Sequence, residues 1–386
     1  MPPKDEIARR LQAIRERMSS RSLDLLLIYS QPGSMRFGQR GHVLYTSGYE
    51  PYFGDTMLLL PRDERIGPLL EIDAADHYPR IKTWIDNVRP AGDHIGVLKD
   101  FLIESGLRNP SVGIVGEYSM HPALYARILA EVEGARFETA SDILEAERAV
   151  KSPYEIDCMR RAAAIAHRGM QAAAKFARPG VLEAEVVGEI ERVCRKEGSE
   201  FFPHHTMVTS GTDEEHGDLW WKAGRRELRQ GEPWLLDFGT MYADYCCDLS
   251  RPFSLGTPSR RQREVFDVLL ASLEDGRQMA RPGVRTSEVD EATAAAARRM
   301  LGDDLDWWGV GHGVGLEVHE WPFVGYQRIV DDPAYRDVAL RANMVISLEP
   351  TISLPETGSV QIEDQFIVTE EGGQRLSPIP LEILTP

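Results

Sequence analysis

The chain has 386 residues, 42% of them hydrophobic, enough for one large or two medium domains with real cores. Its formal net charge is -17 and it contains no Lys/Arg run longer than a pair, a balance that argues against a nucleic-acid partner. No uninterrupted apolar run approaches the length needed to span a bilayer, so no membrane segment is expected.

The opening Met1-Pro-Pro-Lys-Asp-Glu6 lacks the charged-then-apolar pattern of a secretory signal. Residues 1–150 read as α/β. Ile7, Leu11, Ile14 and Met18 recur at helical spacing with charges between them. Leu23 to Tyr29 reads as a buried strand, Thr56 to Leu60 as another stopped by Pro61, and Val112 to Gly116 as a short central strand. A helix through Leu124 and Leu129 follows, with His121 as its start residue rather than a ligand. Strands alternating with helices predict a mixed sheet covered by helices. No Gly-x-Gly-x-x-Gly or phosphate-loop pattern occurs, so no nucleotide site is expected. Tyr45, Tyr49, Tyr52 and Phe53 crowd the loop before the second strand, as core packing or as a wall of a neighbouring subunit's pocket.

A boundary falls near Ala149 to Pro153. Beyond it Tyr154 to Phe176 reads as a long helix ended by Pro179-Gly180, and Glu183 to Cys194 as a second ended before Gly198. Cys158, Cys194, Cys246 and Cys247 have neither zinc-finger nor redox spacing. They read as reduced core residues of a cytoplasmic protein. An internal repeat is visible: Ala177-Arg-Pro-Gly-Val181 recurs as Ala280-Arg-Pro-Gly-Val284, with Glu185-Val186 and Glu288-Val289 at the same offset. Two equivalent α/β halves predict one curved sheet with chemistry at the seam.

The densest chemistry lies in Leu235 to Arg251. Asp237 and Asp248 sit in short apolar runs separated by a turn, the pattern of a hairpin. A carboxylate among apolar strand neighbours is costly to bury unless something positive meets it. Arg251 is one candidate partner, but one Arg cannot neutralise both aspartates. Alone, the stretch divides evenly between a turn Asp beside an Asp–Arg251 pair and a metal site. Downstream, His312 stands in Gly311-His-Gly-Val-Gly315, Glu349 ends the apolar run Met344 to Leu348, and Glu363 follows Gln361-Ile362. Four carboxylates and a His, each in β-type apolar sequence, are explained together by a shared cation.

These segments resemble the ligand set of the pita-bread metallopeptidases, the group of methionine aminopeptidase, aminopeptidase P and prolidase. The matching text is Leu-Asp-Phe-Gly, Asp-Leu-Ser-Arg, Gly-His-Gly-Val-Gly-Leu-Glu-Val-His-Glu, Met-Val-Ile-Ser-Leu-Glu-Pro and Val-Gln-Ile-Glu-Asp. The resemblance covers residues 151–386 closely, while residues 1–150 resemble the smaller domain of creatinase, prolidase and aminopeptidase P. It implies an α/β fold with an N-terminal creatinase-like domain (1–150) and a pita-bread catalytic domain (151–386) with an internal pseudo-twofold repeat. It also implies two divalent ions: Asp237 holds one, His312 and Glu349 the other, and Asp248 and Glu363 bridge both. Such donors suit Mn²⁺ first, and also Co²⁺, Zn²⁺ or Fe²⁺. Cations of this kind acidify water, a single zinc taking it from a pKa of about 15.7 to about 7. The resulting hydroxide attacks a carbonyl, and Glu349 is the implied proton shuttle to the leaving nitrogen.

His319, in His319-Glu-Trp-Pro322, and His216 stand where the family has substrate-contacting histidines. Read without the resemblance, a lone His in an acidic loop is a solvated residue. His204 and His205 have no match and are assigned to packing or the surface. Trp308 replaces a His of many proline-directed members, Asp244-Tyr245 departs from the usual turn, and Thr351 to Glu356 looks more like creatinase. The stretch Gly325 to Ala342 is long and holds Arg328, Arg336 and Arg341, each a potential clamp on a substrate carboxylate or a solvated surface charge. The expected function is a dinuclear metal-dependent hydrolase, an Xaa-Pro dipeptidase ahead of an aminopeptidase P, acting on a small peptide or small-molecule amide as a homodimer. One alternative is a non-peptidase hydrolase or lyase acting on a compatible solute or guanidino acid, motivated by Trp307, Trp308 and the long loop. Another is a catalytically inactive binding module, against which the intact ligand set argues.

Overall fold

A computed structural model describes residues 1–33, 40–72, 82–211, 222–302, 311–326, 335–354 and 357–385. It divides into two compact units, Met1–Arg148 and Ala149–Pro386. Among the described residues, no helix is long and apolar enough to cross a membrane.

In the first unit, α1 (Lys4–Ser20) buries Leu11, Ile14 and Met18 at the spacing of one helical face. Six strands form one mixed sheet, in the order β4 (Asn87–Pro90), β3 (Leu69–Ile72), β2 (Thr56–Pro61), β1 (Leu25–Ser30), β5 (Ser111–Val115) and β6 (Arg136–Thr139). β1 is buried along its whole length and pairs antiparallel with β2 and parallel with β5. β5, expected at the centre, lies one strand from the edge, because β6 adds beside it. The helices are α2 (Gly41–Ser47), α3 (His94–Glu104), α4 (Pro122–Glu131) and α5 (Ser141–Ala149). His121 does start α4: its ring accepts a hydrogen bond from the Ala123 amide, 3.2 Å away. The aromatic stretch is not a single loop, since Tyr45 belongs to α2. Tyr45 is buried, with the Arg10 guanidinium 4.2 Å from its ring centre, whereas Tyr52 and Phe53 are 71% and 58% exposed.

The second unit is built twice from one plan. α6 (Pro153–Phe176) and α7 (Glu183–Lys196) form the first helix pair, and α8 (Arg260–Met279) and α9 (Thr286–Leu301) the second. Ser152 and Ser259 begin α6 and α8 with capping boxes. The repeated Ala-Arg-Pro-Gly-Val links each pair, and its hydrogen bonds are duplicated. Gly180 and Gly283 have φ of 88° and 87° and donate to the Leu228 and Leu340 carbonyls, each at 2.9 Å. Leu228 and Leu340 donate back to Val181 and Val284, each at 2.8 Å. Isolated bridges Leu182–Glu227 and Arg285–Ala339 complete the correspondence.

Among the described residues, the strands of the two halves form separate sheets. The first half forms a three-stranded sheet, β11 (Leu249–Ser254), β8 (Pro233–Phe238) and β7 (Met207–Ser210). The second forms a five-stranded one, β13 (Glu320–Val324), β12 (Gly311–Gly313), β14 (Val345–Leu348), β17 (Asp364–Thr369) and β18 (Gly372–Arg375). Two small hairpins stand apart, β9 (Met241–Tyr242) with β10 (Tyr245–Cys246), and β15 (Thr351–Leu354) with β16 (Gly358–Gln361). An isolated bridge, Ser250–Glu363, stitches the halves together, and a second, Phe253–Leu384, holds β11 to the C-terminal segment. Arg251 reinforces that stitch from the side. Its guanidinium, fully buried, donates to the Ser250, Glu363, Ile379 and Pro380 carbonyls and pairs with Asp364 at 2.7 Å. The Asp–Arg251 pairing considered for Asp237 or Asp248 is therefore not formed: Arg251's counter-charge is Asp364. All four cysteines are buried and free.

Candidate metal centre

β8 and β11 pair antiparallel with Ser250 opposite Asp237. Asp248, just before β11, therefore lies beyond the end of β8, next to Asp237. The expected hairpin is present, with the smaller β9–β10 hairpin inserted at its tip; Ala243 and Asp244 make that turn at φ of 50° and 70°. From the other half, β12 lies between β13 and β14 with His312 opposite Ser347 and Phe323. Glu349 leaves the end of β14, and Glu363 precedes β17 at the stitch to Ser250.

The glycines around His312 make this close packing possible. A Cβ at Gly311 would stand 1.9 Å from the Ser347 carbonyl oxygen, and one at Gly313 would stand 2.6 Å from the Glu320 and Trp321 oxygens. Only bare backbone lets β12 fit between its two neighbours. The His312 ring is then locked. Its Nδ1 donates to the Gly313 carbonyl at 3.1 Å, leaving Nε2 as the lone-pair nitrogen.

That nitrogen faces carboxylates. His312 Nε2 is 3.8 Å from Asp248 Oδ2, from Glu349 Oε1 and from Glu363 Oε1. These separations are too long for hydrogen bonds and are of the size expected between ligands each about 2.0–2.2 Å from one ion. His312 Nε2 and Asp237 Oδ1 are buried with no hydrogen-bond partner among the described residues, and no Arg or Lys there pairs with Asp237 or Asp248. Two uncompensated buried atoms in a nest of carboxylates are what an ion would satisfy. The donor set, oxygen-rich with imidazole, fits a divalent cation. Asp248 divides its oxygens between two histidines, Oδ2 toward His312 and Oδ1 toward His204.

The surroundings hold these oxygens in place. Ser347 donates to Glu363 Oε1 at 2.6 Å, and Gln361 donates to Asp237 Oδ2 at 3.2 Å. Without a cation the charges strain one another. Burial, and then the charge of Asp248, push Asp237 up to about 7 and hold Glu349 and Glu363 well above the usual carboxylate range. Burial, helped by His319, pulls His312 down to about 3. Glu349, with 20% of its side chain exposed, is the most open of the five.

His319 packs edge-on against His312, ring centres 4.2 Å apart, and it could join Asp248 and His312 around one ion. His216, Trp307, Trp308 and Arg328 lie outside the described residues. Arg336 is exposed and stacks over Trp321 at 5.2 Å, while Arg341 is exposed beside the turn into β14. Two neighbours escaped the sequence reading. Tyr326, stacked on Tyr335 with ring centres 5.5 Å apart, has its hydroxyl pKa raised by burial and by the charge of Glu349. Nothing in its spacing marks it. His204, assigned to packing or the surface, is in fact buried 2.9 Å from Asp248. Burial lowers its pKa, but the Asp248 and Asp237 charges outweigh that and hold it at about 9. The missed signal is register: β7 runs antiparallel to β8 with Met207 opposite Asp237, so residues just before Met207 pass beyond the end of β8 beside Asp248.

Known proteins share this architecture. Residues 157–370 match metallopeptidase family M24, and residues 10–150 match the creatinase/prolidase N-terminal domain. An Xaa-Pro dipeptidase of Pyrococcus horikoshii is 28% identical over 98% of this chain and 100% of its own. That of Pyrococcus furiosus is 30% identical over 64% of this chain and 68% of its own. The crystal structure of an X-Pro aminopeptidase from Thermotoga maritima superposes with a TM-score of 0.81, at 26% identity, covering 97% of this chain and 99% of the other. A duplicated α/β unit whose strands gather carboxylates around His312, matched over more than half its length, makes this chain a member of metallopeptidase family M24, with a creatinase/prolidase N-terminal domain ahead of it.

Proposed function

We propose that this chain is an Xaa-Pro dipeptidase in which Asp237, Asp248, His312, Glu349 and Glu363 hold two divalent ions, Mn²⁺ first. The observation that carries the reading is the pair of buried ligand atoms, His312 Nε2 and Asp237 Oδ1, without hydrogen-bond partners among the described residues and beside carboxylates contributed by both halves. Bound divalent ions supply acidified water and a Lewis acid for a carbonyl oxygen. The protein's own groups do the rest. Glu349, the most open carboxylate, takes a proton from water and returns it to the leaving nitrogen. His319 and His216 contact the substrate, His319 from its place against His312. Ser347 and Gln361 keep Glu363 and Asp237 oriented.

Two named dipeptidase relatives support the dipeptide preference, and the peptidase character of the relatives disfavours the non-peptidase alternative. We place the catalytic work in residues 151–386 and regard residues 1–150 as an accessory domain. The exposed pair Tyr52–Phe53 is consistent with a homodimer, and the four buried free thiols with the cytoplasm. The test is a panel of Xaa-Pro dipeptides, the corresponding Xaa-Pro tripeptides and non-proline dipeptides, each assayed with added Mn²⁺. Hydrolysis confined to Xaa-Pro dipeptides is expected. Inactivity on every peptide at high enzyme concentration would remove the peptidase assignment.

A further inference from the structure

His204 has no part in the five-residue ligand set, yet its ring nitrogen lies with Asp237 and Asp248 oxygens close enough together to hold one ion. It stands ahead of β7, with only 3% of its side chain exposed. Its Nδ1 lies 2.9 Å from the His205 carbonyl oxygen, which can only accept, so Nδ1 carries the proton. In the neutral ring, Nε2 is then a bare lone pair. His312 uses the same device, with its Nδ1 on the carbonyl of the following residue, Gly313. His204 Nε2 is 2.9 Å from Asp248 Oδ1, a hydrogen bond whenever that nitrogen carries a proton, and 4.0 Å from Asp237 Oδ1. Asp237 Oδ1 is buried with no hydrogen-bond partner among the described residues. One nitrogen and two oxygens therefore face a common point on the Asp237 side of the centre, just as His312 faces Glu349 and Glu363 on the other.

We propose that His204 Nε2 is a direct ligand of the ion on the Asp237 side, a sixth protein ligand that gives each ion one imidazole. The inference rests on the metal-centre reading above and deepens it. A site with carboxylates alone suits hard ions, whereas an added imidazole moves its preference toward Co²⁺, Fe²⁺ and Zn²⁺. The carbonyl bond at Nδ1 fixes the ring's tautomer and orientation, the role outer partners play for metal-bound histidines. The competing role for His204 is that of a protonated hydrogen-bond partner that only orients Asp248.

The experiment uses the full chain loaded with Co²⁺. Proton NMR counts exchangeable imidazole N–H resonances shifted by the paramagnetic ion, one for each bound histidine, and titration calorimetry measures Co²⁺ affinity for wild type and His204→Gln. Two shifted resonances are expected in wild type and one in the variant, with one ion bound at least about tenfold more weakly. A single shifted resonance in Co²⁺-loaded wild type, or a variant matching wild type in resonances and affinity, would overturn the ligand role. Should His204→Gln fail to fold, the count in Co²⁺-loaded His319→Gln decides, because His319 also lies beside His312: two shifted resonances uphold the ligand role and one overturns it. Wild type that takes up no Co²⁺ would instead overturn the metal-centre reading itself, and the ligand role with it.

Discussion

Replacing Asp364 by Asn tests the device that clamps the two halves at the metal centre. Asp364 and Arg251 are both fully buried and meet at 2.7 Å. Arg375 also reaches Asp364 Oδ2 at 2.7 Å, and Ser377 donates to it at 3.2 Å. Asn keeps the shape but removes the only negative charge in this group, leaving the Arg251 guanidinium buried among carbonyls. Breaking one side of a buried pair costs about 3–5 kcal/mol. For a unit of this size each kcal/mol moves the melting midpoint by roughly 2–4 °C, so the expected fall is roughly 6–20 °C. Urea unfolding and thermal melts, both followed by circular dichroism with chelator present, measure it without metal stabilisation. Arg251 also donates to the Ser250 and Glu363 carbonyls, so the variant should retain its metal less well. The double variant Arg251→Met/Asp364→Leu removes both charges and should lose less than the two single variants summed. If Asp364→Asn stays within about 1 kcal/mol of wild type, the clamp is not where the stability lies.

Asp248→Ala should reduce peptidase activity to background and lower bound metal, while the circular dichroism spectrum stays that of a folded protein; unchanged turnover would mean the centre is misassigned. Gly311→Ala puts a methyl 1.9 Å from the Ser347 oxygen, so β12 must shift and carry His312 with it. A stability loss of about 1–3 kcal/mol with a sharp fall in activity is expected, and wild-type behaviour on both counts would argue against the close fit. His42 in the first unit is fully buried, its Nδ1 accepting from Arg148 at 3.1 Å. Burial, and then the Arg148 charge, hold its pKa well below the ordinary histidine value. As pH falls below about 6.5, the unfolded chain takes the proton first, so the first unit loses stability by up to about 1.4 kcal/mol per pH unit. His42→Gln should flatten that slope between about pH 6.5 and 5; an unchanged slope would assign the acid sensitivity elsewhere.

The parts of the molecule legible in its sequence were those set by local pattern. The helix boundaries at Pro153 and Pro179-Gly180, the repeated Ala-Arg-Pro-Gly-Val links and the apolar runs around Asp237, His312 and Glu349 all announce themselves through turns and strand-type residues. Long-range placement did not. The partner of Arg251 is Asp364, more than a hundred residues away, and no short-range pattern chooses between it and Asp248. The single curved sheet was an over-extension of the repeat: duplication fixes two similar halves, but among the described residues isolated bridges such as Ser250–Glu363 join them as separate sheets. His204 was passed over because its meaning lies in the β7–β8 register rather than in its neighbours. Tyr326 was passed over for a similar reason, since its place beside Glu349 follows from how β13 ends.

The most direct measurement is anomalous diffraction from crystals of the full chain soaked in Mn²⁺, with data collected on both sides of the manganese edge. Two adjacent peaks are expected, one among His312, Glu349, Glu363 and Asp248, the other beside Asp237 and Asp248. A map without density at either place would contradict the metal-centre account, however well the protein is folded.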